Sequence, residues 1–495
     1  MSIEKIENII DIVLSRVKPD NQEKQRLYQV FEFVKTCLEK CLSEILSPST
    51  FEVTLQGSVA KDTFLKGQSD IDVFILFPPN KDINIDWFER TLIPIIIKCF
   101  NKYKNVLNYA SHPYVTIYID SVEVNIVPAY KVPSPDKIIS AVDRTPFHTM
   151  YIKTHLSESQ KDEVRLLKQF LKNWNLYGAE IEVQGFSGYL VELLIIAYEN
   201  FYNLLKNASQ WHAYKTCIDI EHHYSSIEEC LNKFKGSALI VVDPVDPRRN
   251  VAAAVSLKKF SMFKLLAKMF LEFPSIEFFF NNTNIEEDLD RVLTYVENRL
   301  RSYDSCLYLL VFKVLKPVPD MIWGQLYRLK NSLLNTLRVS TDNKYIYLDV
   351  WIDRNSLKKA AIAIEYMQCS RRYRLHIGPY AYDIANAIKF LMKNLSSEIG
   401  PWIDDDGRLY SFKLLDRDDI VKTIINTVKS TSFSGISFED LIVITSASDL
   451  HKLTKLMPGE SKEFVYWLKQ FLERKYFRKI YSTIYSVLDE QRKDS

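Results

Sequence analysis

The chain has 495 residues, 47% of them hydrophobic and 25% charged, with a formal net charge of +2. That is the composition of an ordinary soluble globular protein of about three domains of ~150 residues. It excludes a disordered or strongly basic chain, so contact with a polyanion would need clustered basic residues. No apolar run approaches the ~20 residues of a membrane span. The opening Met-Ser-Ile-Glu-Lys lacks the layout of a secretory signal. Seven cysteines (Cys37, Cys41, Cys99, Cys217, Cys230, Cys306 and Cys369) form no C-x-x-C pattern. Their odd count and wide spacing predict free thiols in a reducing, cytoplasmic setting.

In chain order, residues 3–46 carry helical spacing of Ile, Leu, Val and Phe and end at Ser47-Pro48. Phe51–Leu55 alternates as a strand and stops at Gly57-Ser58. A second strand, Ile71–Phe77, ends at Pro78-Pro79. Residues 85–104 read as helix, and 114–119 with 122–127 as a hairpin turned at Asp120-Ser121. Further on, Val164–Trp174 is helical with Arg165, Lys168 and Lys172 on one face, and an apolar helix runs from Tyr189 to about Leu205. A loop rich in Asp and Pro, residues 243–250, precedes helices reaching about Phe273. Residues 307–314, 322–337 and 345–352 read as strand, helix and strand, and the last hundred residues as mostly helical.

The chemistry concentrates near residue 70. Side chains alternate along a strand, so Asp70 and Asp72 share one face while Ile71, Val73 and Ile75 take the other. Two close carboxylates repel unless a cation lies between them, and hard oxygen donors suit Mg²⁺. The upstream Gly57-Ser58 turn offers N–H groups and a hydroxyl to a phosphate, with Lys61 and Thr63 close behind. A metal beside a phosphate cradle is the equipment of phosphoryl or nucleotidyl transfer. Ser187, before an apolar helix, serves as an N-cap or as part of a Gly185–Gly188 phosphate cradle. His222 and His223 are surface residues rather than metal ligands.

These strings resemble the archaeal-type (class I) CCA-adding enzymes, the tRNA nucleotidyltransferases. The resemblance is carried by Gly57-Ser58 with Asp70-Ile71-Asp72-Val73-Phe74, by His112-Pro113-Tyr114, and by Ala141-Val142-Asp143-Arg144-Thr145-Pro146-Phe147-His148. It continues through Glu163-Val164-Arg165-Leu166-Leu167-Lys168, Leu176-Tyr177-Gly178-Ala179-Glu180, Gly185-Phe186-Ser187-Gly188-Tyr189, and Asp243-Pro244-Val245-Asp246 with Arg249-Asn250-Val251-Ala252-Ala253. The Gly-Ser and Asp-x-Asp pair alone marks only the broad nucleotidyltransferase superfamily.

The resemblance implies an α/β plus α multidomain fold. Residues 1–140 would form a nucleotidyltransferase-superfamily catalytic head, 141–280 a helical central nucleotide-recognition domain, and 281–495 an α/β C-terminal RNA-binding region. It implies template-independent addition of C, C and A to tRNA from CTP and ATP, with Mg²⁺ held by Asp70, Asp72 and Asn125, and it implies a homodimer. Ser58, Lys61, His148, Lys168, Tyr177 and Arg249 fall at the family's nucleotide-binding positions. Arg371, Arg372 and Arg374, and a tail at residues 474–481 that interleaves bases and aromatics, are candidates for RNA contact.

Asn125 departs from the family pattern, which has a third carboxylate there. Asparagine offers a carbonyl oxygen but no charge, and it cannot act as a base. Glu123 shares its face but sits two residues away, roughly 6–7 Å along the strand. An enzyme working with asparagine, a substrate-trapping substitution and an inactive tRNA-binding relative all fit this residue. A superfamily polymerase with a different acceptor is a further reading.

Overall fold

The computed structural model describes residues 3–109, 112–280, 289–341, 345–354, 356–367, 373–397, 399–414, 417–444, 449, 462–475, 477 and 480. The chain forms two compact units, Met1–Thr283 together with Phe477–Ser495, and Asn284–Tyr476.

The first unit opens with two helices, Ile3–Val17 and Asn21–Ser43. They part at Pro19, and Asp20 caps the second by accepting from the Glu23 N–H at 2.8 Å. A five-stranded sheet follows: β1 (Glu52–Gln56), β2 (Asp70–Phe77), β3 (Lys104–Tyr109), β4 (Pro113–Ile119) and β5 (Val122–Tyr130), ordered β1-β2-β5-β4-β3. Only β2 and β5 run parallel. Ile71, Val73, Ile75 and Phe77 are wholly buried against the helix Asn21–Ser43 and residues 88–100. The opposite face of β2 carries Asp70, Asp72, Phe74 and Leu76 in succession. The period-2 reading therefore holds, and it leaves the two carboxylates at the start of a face that is apolar further along. At the β4–β5 hairpin, Asp120 and Ser121 both take positive φ (+46° and +67°), the twist a two-residue hairpin turn requires.

Helices Thr145–His155, Glu158–Asn173, Gly188–Tyr198, Phe201–Ala208 and Leu257–Glu272 build the rest of this unit. Their shared core includes Phe170, Phe201, Phe263, Phe270 and Phe278. Ser187 caps its helix through a bond from the Leu190 N–H at 3.2 Å, so the capping account of that residue stands. The apolar helix expected to reach Leu205 breaks at Glu199, whose φ is +71°. Short strands β6 (Cys217–Ile218) and β7 (Ile240–Val241) pair in parallel beneath the 243–250 loop.

In the second unit, β8 (Ser305–Val314), β9 (Ile346–Ile352), β10 (Lys359–Met367) and β14 (Ile436–Ile444) form an antiparallel sheet ordered β14-β8-β10-β9. The strand–helix–strand reading is met by β8, the helix Pro319–Thr341 and β9. Between β10 and β14 lie β11 (Tyr373–Tyr380), β12 (Ile399–Ile403) and β13 (Arg408–Leu414), a separate three-stranded sheet beside the helix Ile384–Asn394.

Three expectations are corrected. The helix predicted over 85–104 stops at Cys99, and 104–109 is the edge strand β3, which is largely exposed and so lacks a clean apolar alternation. The mostly helical last hundred residues contain β12, β13 and β14. The free thiols are also overturned: Cys41 is bonded to Cys99, Cys217 to Cys230, and Cys306 is disulfide-bonded too, leaving Cys37 free among the described residues. Cys41 and Cys99 lie on helices that pack together, a proximity that a sequence separation of 58 does not encode.

Candidate active site

The site is built on the parallel pairing of β2 with β5. Asp70 lies opposite Glu123, and Asp72 opposite Asn125. One side chain from each of two neighbouring strands is thereby set at the same height on one face. Gly57 closes the site from the β1 side. Its φ is +70°, and a Cβ there would stand 2.0 Å from Asp72 Oδ2, so only glycine allows this turn and this carboxylate together. Ser58 follows in a five-residue helix, Gly57–Lys61, and its carbonyl accepts the Thr63 N–H at 3.0 Å. Burial, reinforced by the charge of Asp70, pushes the Asp72 carboxyl up to about 7. A pair that resists sharing its charge suits a cation between its members.

The Asn125 amide is fixed by its neighbours. Asn108 Nδ2 donates to Thr116 Oγ1 at 2.8 Å, so the Thr116 hydroxyl proton goes to Asn125 Oδ1 at 2.7 Å. The Asn125 Nδ2 group then faces Asp72 Oδ1 at 3.4 Å and Asp70 Oδ2 at 3.5 Å. The carbonyl expected as a metal ligand is turned to Thr116, and the amide hydrogens meet the carboxylates instead. Among the described residues no group of three or more His, Cys, Asp and Glu side chains is placed to hold a metal. Asp70 and Asp72 bring two carboxylates to one face, oxygen donors of the kind a divalent cation takes.

Lys61 and Lys168 come together beneath the Gly57–Lys61 turn. Both are almost fully buried and both meet Glu192, which is completely buried on the helix Gly188–Tyr198. Lys61 Nζ lies 2.5 Å from Glu192 Oε2, and the Thr63 hydroxyl donates to Oε1 at 2.6 Å. Lys168 Nζ donates to the Thr63 carbonyl at 2.8 Å and stands 4.0 Å from Oε1. Burial draws the Lys168 ammonium down to about 8. Arg165, one turn away, is held by Asp62 and Asp162 and by the Phe64 carbonyl. Tyr177 is half-buried with Lys172 over its ring at 5.2 Å, and its hydroxyl faces Gly188, where a Cβ would approach to 2.9 Å. A cavity of about 420 Å³ opens behind the turn, lined by Lys24, Tyr28, Lys153 and Lys161 among others and by none of Asp70, Asp72 or Asn125.

His148 and Arg249 meet on Asp243. His148 Nε2 is 3.0 Å from Asp243 Oδ2, and Arg249 Nη1 donates to the same oxygen at 2.8 Å. The Tyr189 hydroxyl reaches Oδ1 at 3.1 Å, and its ring stacks on His148 with centroids 3.9 Å apart. Burial opposes ionisation of Asp243, but the hydrogen bonds and charges of His148 and Arg249 outweigh it and hold the carboxyl near 2. Burial pulls the His148 pKa down. Arg248 turns to Asp246 instead, which also binds Arg144. Asn250 pins the loop: its side chain bonds Val241 N, Ala252 N and the Leu239 carbonyl.

Glu192 and Asp243 are the organising residues that sequence reasoning missed. Glu192 did leave a signal, as a lone carboxylate inside Tyr189-Leu190-Val191-Glu192-Leu193-Leu194-Ile195. Arg371 and Arg372 lie outside the described residues, and Arg374 is paired in register with Lys413 on β13. Of the basic-aromatic tail, Arg474 is committed to Glu365 at 2.5 Å and covers the Tyr347 ring. His222 and His223 are exposed as expected. No helix of the described residues is long and apolar enough to cross a membrane.

Residues 36–148 match a family model described as "Nucleotidyltransferase domain", and residues 162–280 one described as "tRNA nucleotidyltransferase, second domain". The chain is 40% identical over 401 residues to the "CCA-adding enzyme" of Saccharolobus solfataricus, covering 81% of this chain and 87% of that protein. It is 36% identical over 457 residues to the "CCA-adding enzyme" of Sulfolobus acidocaldarius, covering 90% and 97%. A solved RNA terminal U-transferase aligns over 55% of this chain and 95% of its own at 14% identity and TM-score 0.43, too distant to carry an argument. With relatives this similar over this much of its length, the chain belongs to the CCA-adding enzymes, the tRNA nucleotidyltransferases.

Proposed function

We propose that this chain adds C, C and A to the 3′ end of tRNA from CTP and ATP, without a nucleic-acid template and with release of pyrophosphate. The observation that carries the reading is the Asp70–Asp72 pair, set by Gly57 on one side and Asn125 on the other, in a chain similar to CCA-adding enzymes along most of its length.

Asp70 and Asp72 would hold Mg²⁺. When bound, that ion supplies alignment of the tRNA 3′-hydroxyl with the α-phosphate and neutralises charge on the oxygens of an in-line displacement. The protein's own groups do the rest. Ser58 and the N–H groups of the Gly57 turn, with Lys168, face the triphosphate. Asn125 restrains the two carboxylates through its amide hydrogens and takes no proton from the attacking hydroxyl. It could present its carbonyl to a metal only by giving up the Thr116 bond. His148 and Tyr177 contact sugar and phosphate, and Arg249, oriented by Asp243, reads the base with a planar fork. Lys61, paired with Glu192, supports the turn from beneath.

In this reading residues 1–140 are the catalytic head, 141–280 the nucleotide-recognition domain, and 281–495 the RNA-binding region with Arg371, Arg372 and Arg374. The enzyme works in the cytoplasm as a homodimer. The test is extension of a tRNA ending before CCA by labelled CTP and then ATP with Mg²⁺. Ordered addition of two C and one A supports the reading. Runs of A on an unrelated RNA, with no use of CTP, would assign a different acceptor.

A further inference from the structure

Two lysines and one carboxylate are buried together beneath the phosphate turn, an arrangement that charge balance does not explain. Lys61 and Lys168 are 9% and 3% exposed, and Glu192 is fully enclosed. Among the described residues, Glu192 is the carboxylate within ion-pair reach of both lysines. Arg165 adds no anion to the cluster, because Asp62 and Asp162 already hold it. Buried charges are normally paired, and an unmatched one is costly.

The geometry says which cation is matched. Glu192 spends one oxygen on Lys61 at 2.5 Å and the other on the Thr63 hydroxyl at 2.6 Å. Lys168 is bound instead through Thr63, to its carbonyl at 2.8 Å and its hydroxyl at 3.3 Å, both neutral acceptors. Its own distance to the carboxylate is 4.0 Å. Lys168 is therefore fixed in place with its charge only partly answered.

We propose that Glu192 is the positioning residue of the triphosphate site: it neutralises Lys61 and, through Thr63, holds Lys168 as a prepaid cation that the incoming triphosphate completes. The proposal rests on the nucleotidyl-transfer reading above and deepens it. Glu192 comes from the helix Gly188–Tyr198, whereas Lys61 and Thr63 belong to the Gly57 turn. One side chain thus ties the turn that cradles phosphate to the helices that recognise the nucleotide. An electrostatic support becomes firmer when the anion arrives, because low-dielectric surroundings strengthen the new pair.

The test is the pH dependence of CTP and ATP binding, measured by calorimetry with Mg²⁺ and without tRNA, in the full chain and in Glu192→Gln. The groups facing Lys168 are Glu192, Lys61, Arg165 and Lys172. In the native chain, affinity should fall as pH rises through about 8, where Lys168 loses its proton. Removing the Glu192 charge leaves Lys61 and Lys168 repelling each other. The decline should then move down by about one pH unit or more. At pH 8 this weakens both nucleotides about fivefold, since the charged fraction of Lys168 falls from about one half to about one eleventh. Glu192→Asp, which keeps the charge, should restore the native midpoint. An unmoved midpoint in a folded Glu192→Gln overturns the proposal. If Glu192→Gln does not fold, Thr63→Val decides: it keeps the carbonyl that Lys168 bonds but removes the hydroxyl between Glu192 and Lys168, and should weaken both nucleotides several-fold; unchanged affinity overturns the proposal equally. Failure of the native chain to bind either nucleotide would instead strike the nucleotidyl-transfer reading.

Discussion

Gly57→Ala isolates the closest contact in the site. A Cβ at position 57 would stand 2.0 Å from Asp72 Oδ2, where ordinary van der Waals separation is roughly 3.4 Å or more. The turn or the carboxylate must therefore move by more than about 1 Å. The positive φ of +70° adds a left-handed conformation costing an alanine about 1–2 kcal/mol. A loss of that size lowers the melting temperature by only a few degrees in a domain of this size. Misplacing a reacting group by 1 Å costs ~10²-fold in rate. The expected outcome is a folded protein with near-native melting and CTP incorporation slowed about a hundredfold, measured under single turnover on tRNA lacking CCA. If Gly57→Ala transfers within twofold of the native rate, the contact does not set the carboxylate and the reasoning fails.

Asp243→Asn should release His148 and Arg249 together, raising KM for CTP and ATP and costing about 2 kcal/mol of stability in a denaturant titration. The same carboxyl ties stability to pH: its folded pKa of about 2 lies below the ordinary aspartate value of 3.8, so about 2 kcal/mol is present above pH 4 and lost as pH falls toward 2. An acid titration of Asp243→Asn should lack that part of the slope. Mg²⁺ should raise the melting temperature, and Asp70→Asn with Asp72→Asn should abolish the rise; a rise that survives both changes places the ion elsewhere. Reduction of the disulfides should lower the melting temperature: by loop length, Cys41–Cys99 accounts for about 4 kcal/mol and Cys217–Cys230 for about 3 kcal/mol. An identical melt with and without reductant would refute this.

The carboxylate face was legible because it obeys a local rule. Period-2 alternation put Asp70 and Asp72 on one side of β2, and the hairpin reading set Asn125 on a strand that could lie beside them. What alternation does not contain is which way an amide points. That depends on Thr116 and Asn108, from two further strands, and they turned the expected ligand oxygen away from the carboxylates. Glu192 and Asp243 escaped for a related reason. Glu192 is defined by partners 129 and 131 residues away, and Asp243 by His148, 95 residues away, as well as by the nearby Arg249, so the assembled helices are needed to reveal both clusters. The edge strand β3 was missed because exposure erases the apolar alternation that marks buried strands. The tail adds a contact that the sequence does not show. Arg474 read as a nucleic-acid contact, yet its guanidinium neutralises the buried Glu365 on β10.

The measurement that tests the account most directly is single-turnover CCA addition by the native chain beside Asn125→Asp, with labelled CTP and then ATP on tRNA lacking CCA. The account predicts ordered C, C and A addition by both, faster in the aspartate variant by ~10²–10⁴-fold, because only a carboxylate can accept the proton of the attacking hydroxyl. Equal rates would contradict the role given to Asn125, and tRNA binding without transfer by either would contradict the two-carboxylate transfer site itself.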